Sequence, residues 1–204
     1  MDSDVVKLLL ALFLVVLNGF FVAAEFSIVK VRYSQIQIKA AEGNAMAKQA
    51  EHLIKHLDEY LSATQLGITL ASLALGWVGE SAMHHVIENT LHYFSIALAD
   101  STITTISLVI SFLLITIMHI VFGELIPKSI AIRKSEQTAM LIAMPLRLFY
   151  TVFKPFIWSM NQMSNGFLRL VKIHPASDQE IHSTEELQLL VKQSADSGAI
   201  EEEN

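Results

Sequence analysis

The run ITTISLVISFLLITIMHIVF, residues 103–122, passes straight into GELIPK, residues 123–128. The first part is apolar over the roughly 20 residues that a helix needs to cross hydrocarbon. The second part places a glycine, an acid, a proline and a base at the end of that helix, at or just inside the bilayer boundary. Pro127 has no backbone N–H, so it cannot bond the carbonyl four residues back, that of Gly123. A free carbonyl beside the Glu124 carboxylate offers oxygen ligands of the kind that suit a hard cation such as Mg2+ or Na+. The plainer reading of the same residues is a helix stop with an acid and a base snorkelling to the interface.

The rest of the chain fits a membrane protein. Of 204 residues, 52% are hydrophobic and only 17% charged, and the apolar residues gather in runs of membrane length. The formal net charge of −6 comes largely from the last third, where Asp178, Glu180, Glu185, Glu186, Asp196 and Glu201 to Glu203 cluster. With no cysteine, disulfides, thiolate metal sites and thiol nucleophiles are excluded. No basic, aromatic-interleaved patch points to nucleic acid. No P-loop, HExxH or nucleophile motif supports an enzyme. The first apolar run, Leu8 to Ala24, is too long for a signal-peptide core and is preceded by Asp2 and Asp4, so it reads as a retained span.

Spans are expected at about 5–29, 60–83 and 101–122. Lys30, Arg32, Lys39, Lys48 and Lys55 follow the first, and Lys128, Arg133 and Lys134 follow the third. His84 to Asp100 carries no Lys or Arg. The positive-inside rule then puts the N-terminus outside and the C-terminus in the cytoplasm, as a multi-pass protein of the cell (inner) membrane. The segment 138–173 contains Pro145, Arg147, Lys154, Pro155 and Arg169, and charges at the bilayer centre cost a few kcal/mol each. It reads as a belt helix, kinked near Pro155, along the inner interface, with a fourth span as the alternative. Beyond it, Ser183-Thr184-Glu185-Glu186 opens a cytoplasmic acidic helix that looks like a link to a further domain. The expected fold is therefore all-α: three spans and a belt in a membrane domain over 1–174, then an acidic helical linker over 175–204.

Polar residues inside the spans need a partner or a cavity. Asn18 and Glu25 share one face of the first span, whereas Ser27 lies nearly opposite Glu25 on an ideal helix. On the second, Gln65, Thr69, Ser72 and Gly76 form one polar, small-residue stripe; on the third, Ser107 and Ser111 share a face. Gly67 with Ala71, and Ser72 with Gly76, have the spacing that lets helices approach closely, within a subunit or across a dimer. His119, His84, His85 and His92 read as structural.

Three segments together carry a resemblance. They are NGFFVAAEFS from Asn18, TQLGITLAS from Thr64 with GWVGE from Gly76, and FGELIPKSIAI from Phe122 to Ile132. In this order, and over nearly the whole chain, they resemble the transmembrane domain of the CorC/cyclin M family of magnesium transporters. The resemblance implies a homodimer in the bilayer that exports Mg2+ against Na+ entry, by alternating access. It implies a mid-bundle Mg2+ site of side-chain and backbone oxygens; carried to this sequence, these are Glu25, Ser27, Thr69, Ser72, Gly123 and Glu124. Glu25 and Ser27 can both face it only if the helix is distorted. The family's paired CBS module, which takes ATP with Mg2+, is absent from this chain. The rival expectation is a membrane-anchored sensor whose cation site is structural and moves no ion. The oxygen-only ligand set disfavours soft metals but not Mn2+.

Overall fold

The computed structural model describes residues 3–93 and 100–171, and all regular structure among them is helical. The chain divides into two compact units, residues 1–161 and 162–204. The acidic helix expected over 175–204 lies outside the described residues.

Helix α1 spans Ser3–Lys30, α2 Tyr33–Ala41, α3 Ala45–Lys55 and α4 Leu57–Tyr93. Helix α5 covers Asp100–Met118 and runs through a π-helical turn, His119–Leu125, into α6, Ile126–Arg133; α7 covers Ser135–Leu170. Helices α1, α4, α5–α6 and α7 are each long and apolar enough to cross a membrane. Because α7 qualifies by length and composition, the belt reading rests on its charges and prolines alone. Hydrocarbon offers the backbone no hydrogen-bond partners, so continuous helices are the form these segments must take.

The basic loop expected between the first two spans holds two short helices. Gly43, at φ 95°, closes α2 in the left-handed conformation that glycine tolerates. Asn44 then caps α3, its Oδ1 accepting from the N–H groups of Met46 and Ala47 at 3.0 and 3.2 Å. Ala47, Ala50 and Leu53 turn one face of α3 inward.

The larger core joins α1, α2, α3, α4 and α7 through Phe21, Ile28, Ile36, Leu53, Tyr60, Ala143 and Leu146, among others. Aromatic contacts continue it, with Phe21 against Phe149 at 4.7 Å and Tyr60 against Tyr150 at 4.9 Å between ring centroids. A smaller cluster of Ala11, Leu14, Val15, Leu75 and Ile115 joins α1, α4 and α5. Much apolar surface stays outside the cores: Trp77 is 86% exposed. A water-soluble domain seldom carries such contiguous apolar surface, whereas lipid covers it at no cost. On α7, Arg147 donates to Gln49 and the Tyr150 hydroxyl donates to Glu59.

Candidate functional site

The helix stop expected at Gly123 is instead a change of pitch, and the chain stays helical to Arg133. The N–H of Ile126 reaches the carbonyl of Val121, five residues back. In an α-helix, residues five apart point roughly 140° away from each other. A π turn, bonded from i to i+5, brings them back toward the same side. That is why His119 and Glu124 meet, with Nε2 3.7 Å from Oε1.

Two glycines bring α1 against this turn. A Cβ on Gly19 would fall 2.8 Å from Pro127 Cγ and 3.2 Å from the Phe122 carbonyl oxygen. A Cβ on Gly123 would fall 2.9 Å from His119 Cδ2 and 3.2 Å from Asn18 Nδ2. Neither site has room for a Cβ, so Gly19 lets α1 lie against Pro127 and the Phe122 carbonyl, and Gly123 lets the Asn18 amide lie against the turn. Asn18, fully buried on α1, uses that proximity: its Nδ2 donates to the Gly123 carbonyl at 3.0 Å. The carbonyl expected to be free is thus held by an amide.

The same amide reaches α4. Asn18 Oδ1 accepts from Ser72 Oγ at 3.1 Å, and Ser72 Oγ lies 3.3 Å from His119 Nε2. With the proton on Nε2, a single directed chain results: His119 donates to Ser72, Ser72 to Asn18, and Asn18 to Gly123. Each group both gives and receives as its chemistry allows. Three helices of spanning length are thereby joined at one polar point, with Glu124 beside it.

Of the six residues carried over from the resemblance, Ser72, Gly123 and Glu124 come together here. Glu25 is half-buried on α1, seven residues and so about 10 Å along the axis from Asn18. Ser27 is fully buried and donates to the Ala24 carbonyl at 3.1 Å. Thr69 is exposed and donates to the Gln65 carbonyl at 2.8 Å. Ser107 and Ser111 are likewise buried and bonded to their own helix. Among the described residues no three His, Asp or Glu gather as a metal group. The cluster is instead one carboxylate with amide, hydroxyl, carbonyl and imidazole groups.

Sequence reasoning passed over Asn18 and His119 as site members. The available signal was an amide beside a glycine in mid-span, and a histidine one turn before Gly-Glu. Near the C-terminal end of α4, Glu88 accepts from Thr104 of α5 at 3.3 Å and lies 3.7 Å from His84, a structural tie.

Residues 9–204 match the family model described as the cyclin M transmembrane N-terminal domain. The chain is similar to two Bacillus subtilis proteins, the UPF0053 proteins YhdT and YrkA. It is 45% identical to the former over 201 residues, 97% of this chain and 43% of that protein. It is 42% identical to the latter over 196 residues, 96% of this chain and 45% of that protein. The uncharacterized protein Rv1841c of Mycobacterium tuberculosis is 34% identical over 196 residues, 96% of this chain and 55% of that protein. The chain thus spans about half the length of the curated relatives it matches. Matched over nearly its whole length, and built of the membrane helices that the match requires, this chain belongs to the CorC/cyclin M family.

Proposed function

We propose that this protein exports Mg2+ from the cytoplasm, with Na+ entry as the driving flux, through the polar point between α1, α4 and the π turn. One observation carries the reading. A chain of polar groups joins three apolar helices at one point, with the half-exposed Glu124 carboxylate beside it. Polar groups at membrane depth are costly and mark ion pathways. Asn18 Oδ1, Ser72 Oγ, the Gly123 carbonyl and the Glu124 carboxylate are oxygens of the type Mg2+ takes, at about 2.0–2.1 Å in octahedral geometry. Glu124 supplies the charge that offsets dehydration, and the other three supply fixed dipoles. His119 positions Ser72 and Glu124. On this reading Glu25, Ser27 and Thr69 join the path as α1 and α4 rearrange between inward and outward states. The same reading takes α7 as an inner belt, a homodimer as the working unit, and an ATP-binding CBS pair as a regulator beyond this sequence.

Purified protein in liposomes, given an inward Na+ gradient, is expected to move Mg2+ outward, and to stop when the gradient is collapsed. Protein that binds Mg2+ but moves none in either direction would instead be a membrane-anchored sensor.

A further inference from the structure

Where α6 meets α7, a polar cavity of about 480 Å³ opens between α2 and the α6–α7 corner. Gln35, Lys39, Arg133, Lys134, Ser135, Glu136 and Gln137 line it. Its charges are unequal. Lys39 and Glu136 form an ion pair across the cavity and cancel. Arg133 and Lys134 are both exposed, and among the described residues neither forms an ion pair. The cavity is left with two uncompensated cations, a serine hydroxyl and two amides that can donate. That donor set suits a phosphate, whose oxygens accept from guanidinium, ammonium and hydroxyl alike.

Beside the cavity the surface changes character. Leu141, Met144 and Leu148 follow Gln137 at helical spacing along one face of α7, and they are 72, 75 and 68% exposed. Ile130 and Ile132, on α6, are also exposed. An apolar track that begins at a cationic pocket matches a molecule with an anionic head and a long apolar body. Basic pockets beside membrane helices recognise lipid headgroups in this way.

We propose that the α6–α7 corner binds the phosphate of an anionic phospholipid, with Arg133 and Lys134 on the headgroup and the acyl chains packed across the apolar face that Leu141, Met144 and Leu148 present. Lys39 contributes by keeping Glu136 neutralised. The site shares no residue with the Asn18 cluster, so loss of lipid binding and loss of Mg2+ flux are separate outcomes.

The test is native mass spectrometry of the detergent-purified protein after exposure to phosphatidylglycerol or phosphatidylcholine. Wild-type protein is expected to retain phosphatidylglycerol preferentially. Arg133→Gln and Lys134→Gln should each weaken that retention by about fivefold, the effect of one base near an anionic surface. Both side chains are exposed, so the folded state tolerates the change. Lys48→Gln, which removes a base from α3 outside the pocket, should leave retention unchanged. Equal retention of the two lipids, or an equal loss in Lys48→Gln, would overturn the proposal. Millimolar inorganic phosphate is the last arm: failure to displace the lipid supports a lipid site, and displacement would overturn the lipid in favour of a soluble phosphate.

Discussion

A methyl group at position 123 would press into the His119 ring at 2.9 Å and the Asn18 amide at 3.2 Å, whereas one at position 76 would meet nothing within 4 Å. Gly76 lies within α4, where alanine brings a gain in helix propensity of about 1 kcal/mol, and in the π turn at Gly123 it can bring no more. At Gly123 that gain is outweighed by overpacking, which costs about 1–3 kcal/mol, and by displacement of the Asn18 amide. Gly76→Ala is therefore expected to raise the melting temperature in detergent slightly, and Gly123→Ala to lower it. Equal melting of the two variants would show that α1 does not approach the turn as closely as described. The Asn18 amide illustrates what a single sequence conceals. Its presence in a span was plain, but its partners are 54 and 105 residues away and depend on how three helices pack.

At the scale of elements, the long helices were legible because hydrocarbon leaves an apolar run of that length one backbone solution. The helix that carries the second expected span is longer than the span itself: α4 covers Leu57–Tyr93 and continues into the stretch expected as an outer connection. Helices α2 and α3 went unread because they are 9 and 11 residues long. Segments of that size are marginal alone and form through packing of one face. For α3 the local signal lay in Asn44 following Gly43. Asn44→Ala is expected to cost about 1 kcal/mol and to leave α3 fraying first, seen as faster amide exchange at Met46 and Ala47. Unchanged exchange there would mean that the cap does not hold the helix. The π turn was illegible for a different reason. Pro127 announces an irregularity, but whether the helix stops or widens is decided by α1 packing against it through Gly19.

Over the whole molecule, a titratable group on α3 links stability to pH. On α3, burial and then electrostatic repulsion from His56 and Arg147 hold the His52 pKa below the usual imidazole range, with Glu59 opposing and Lys55 adding to them. The unfolded chain takes up its proton near pH ~6.5, so it binds more protons than the folded chain around that pH. Stability is full above that value and falls as the pH drops through it. Melting temperature should decline from about pH 8 to about pH 5.5, and less steeply in His52→Gln. An unaltered slope in that variant would move the effect to another group. The apolar exterior, the joined polar point and the family membership all bear on ion movement, and one measurement tests their connection most directly. Mg2+ efflux from proteoliposomes under an inward Na+ gradient should be supported by the wild-type protein and lost in Asn18→Ala and Glu124→Gln, both still folded by melting. Wild-type rates in those variants would contradict the assignment of Mg2+ to the cluster of Asn18, Ser72, Gly123 and Glu124.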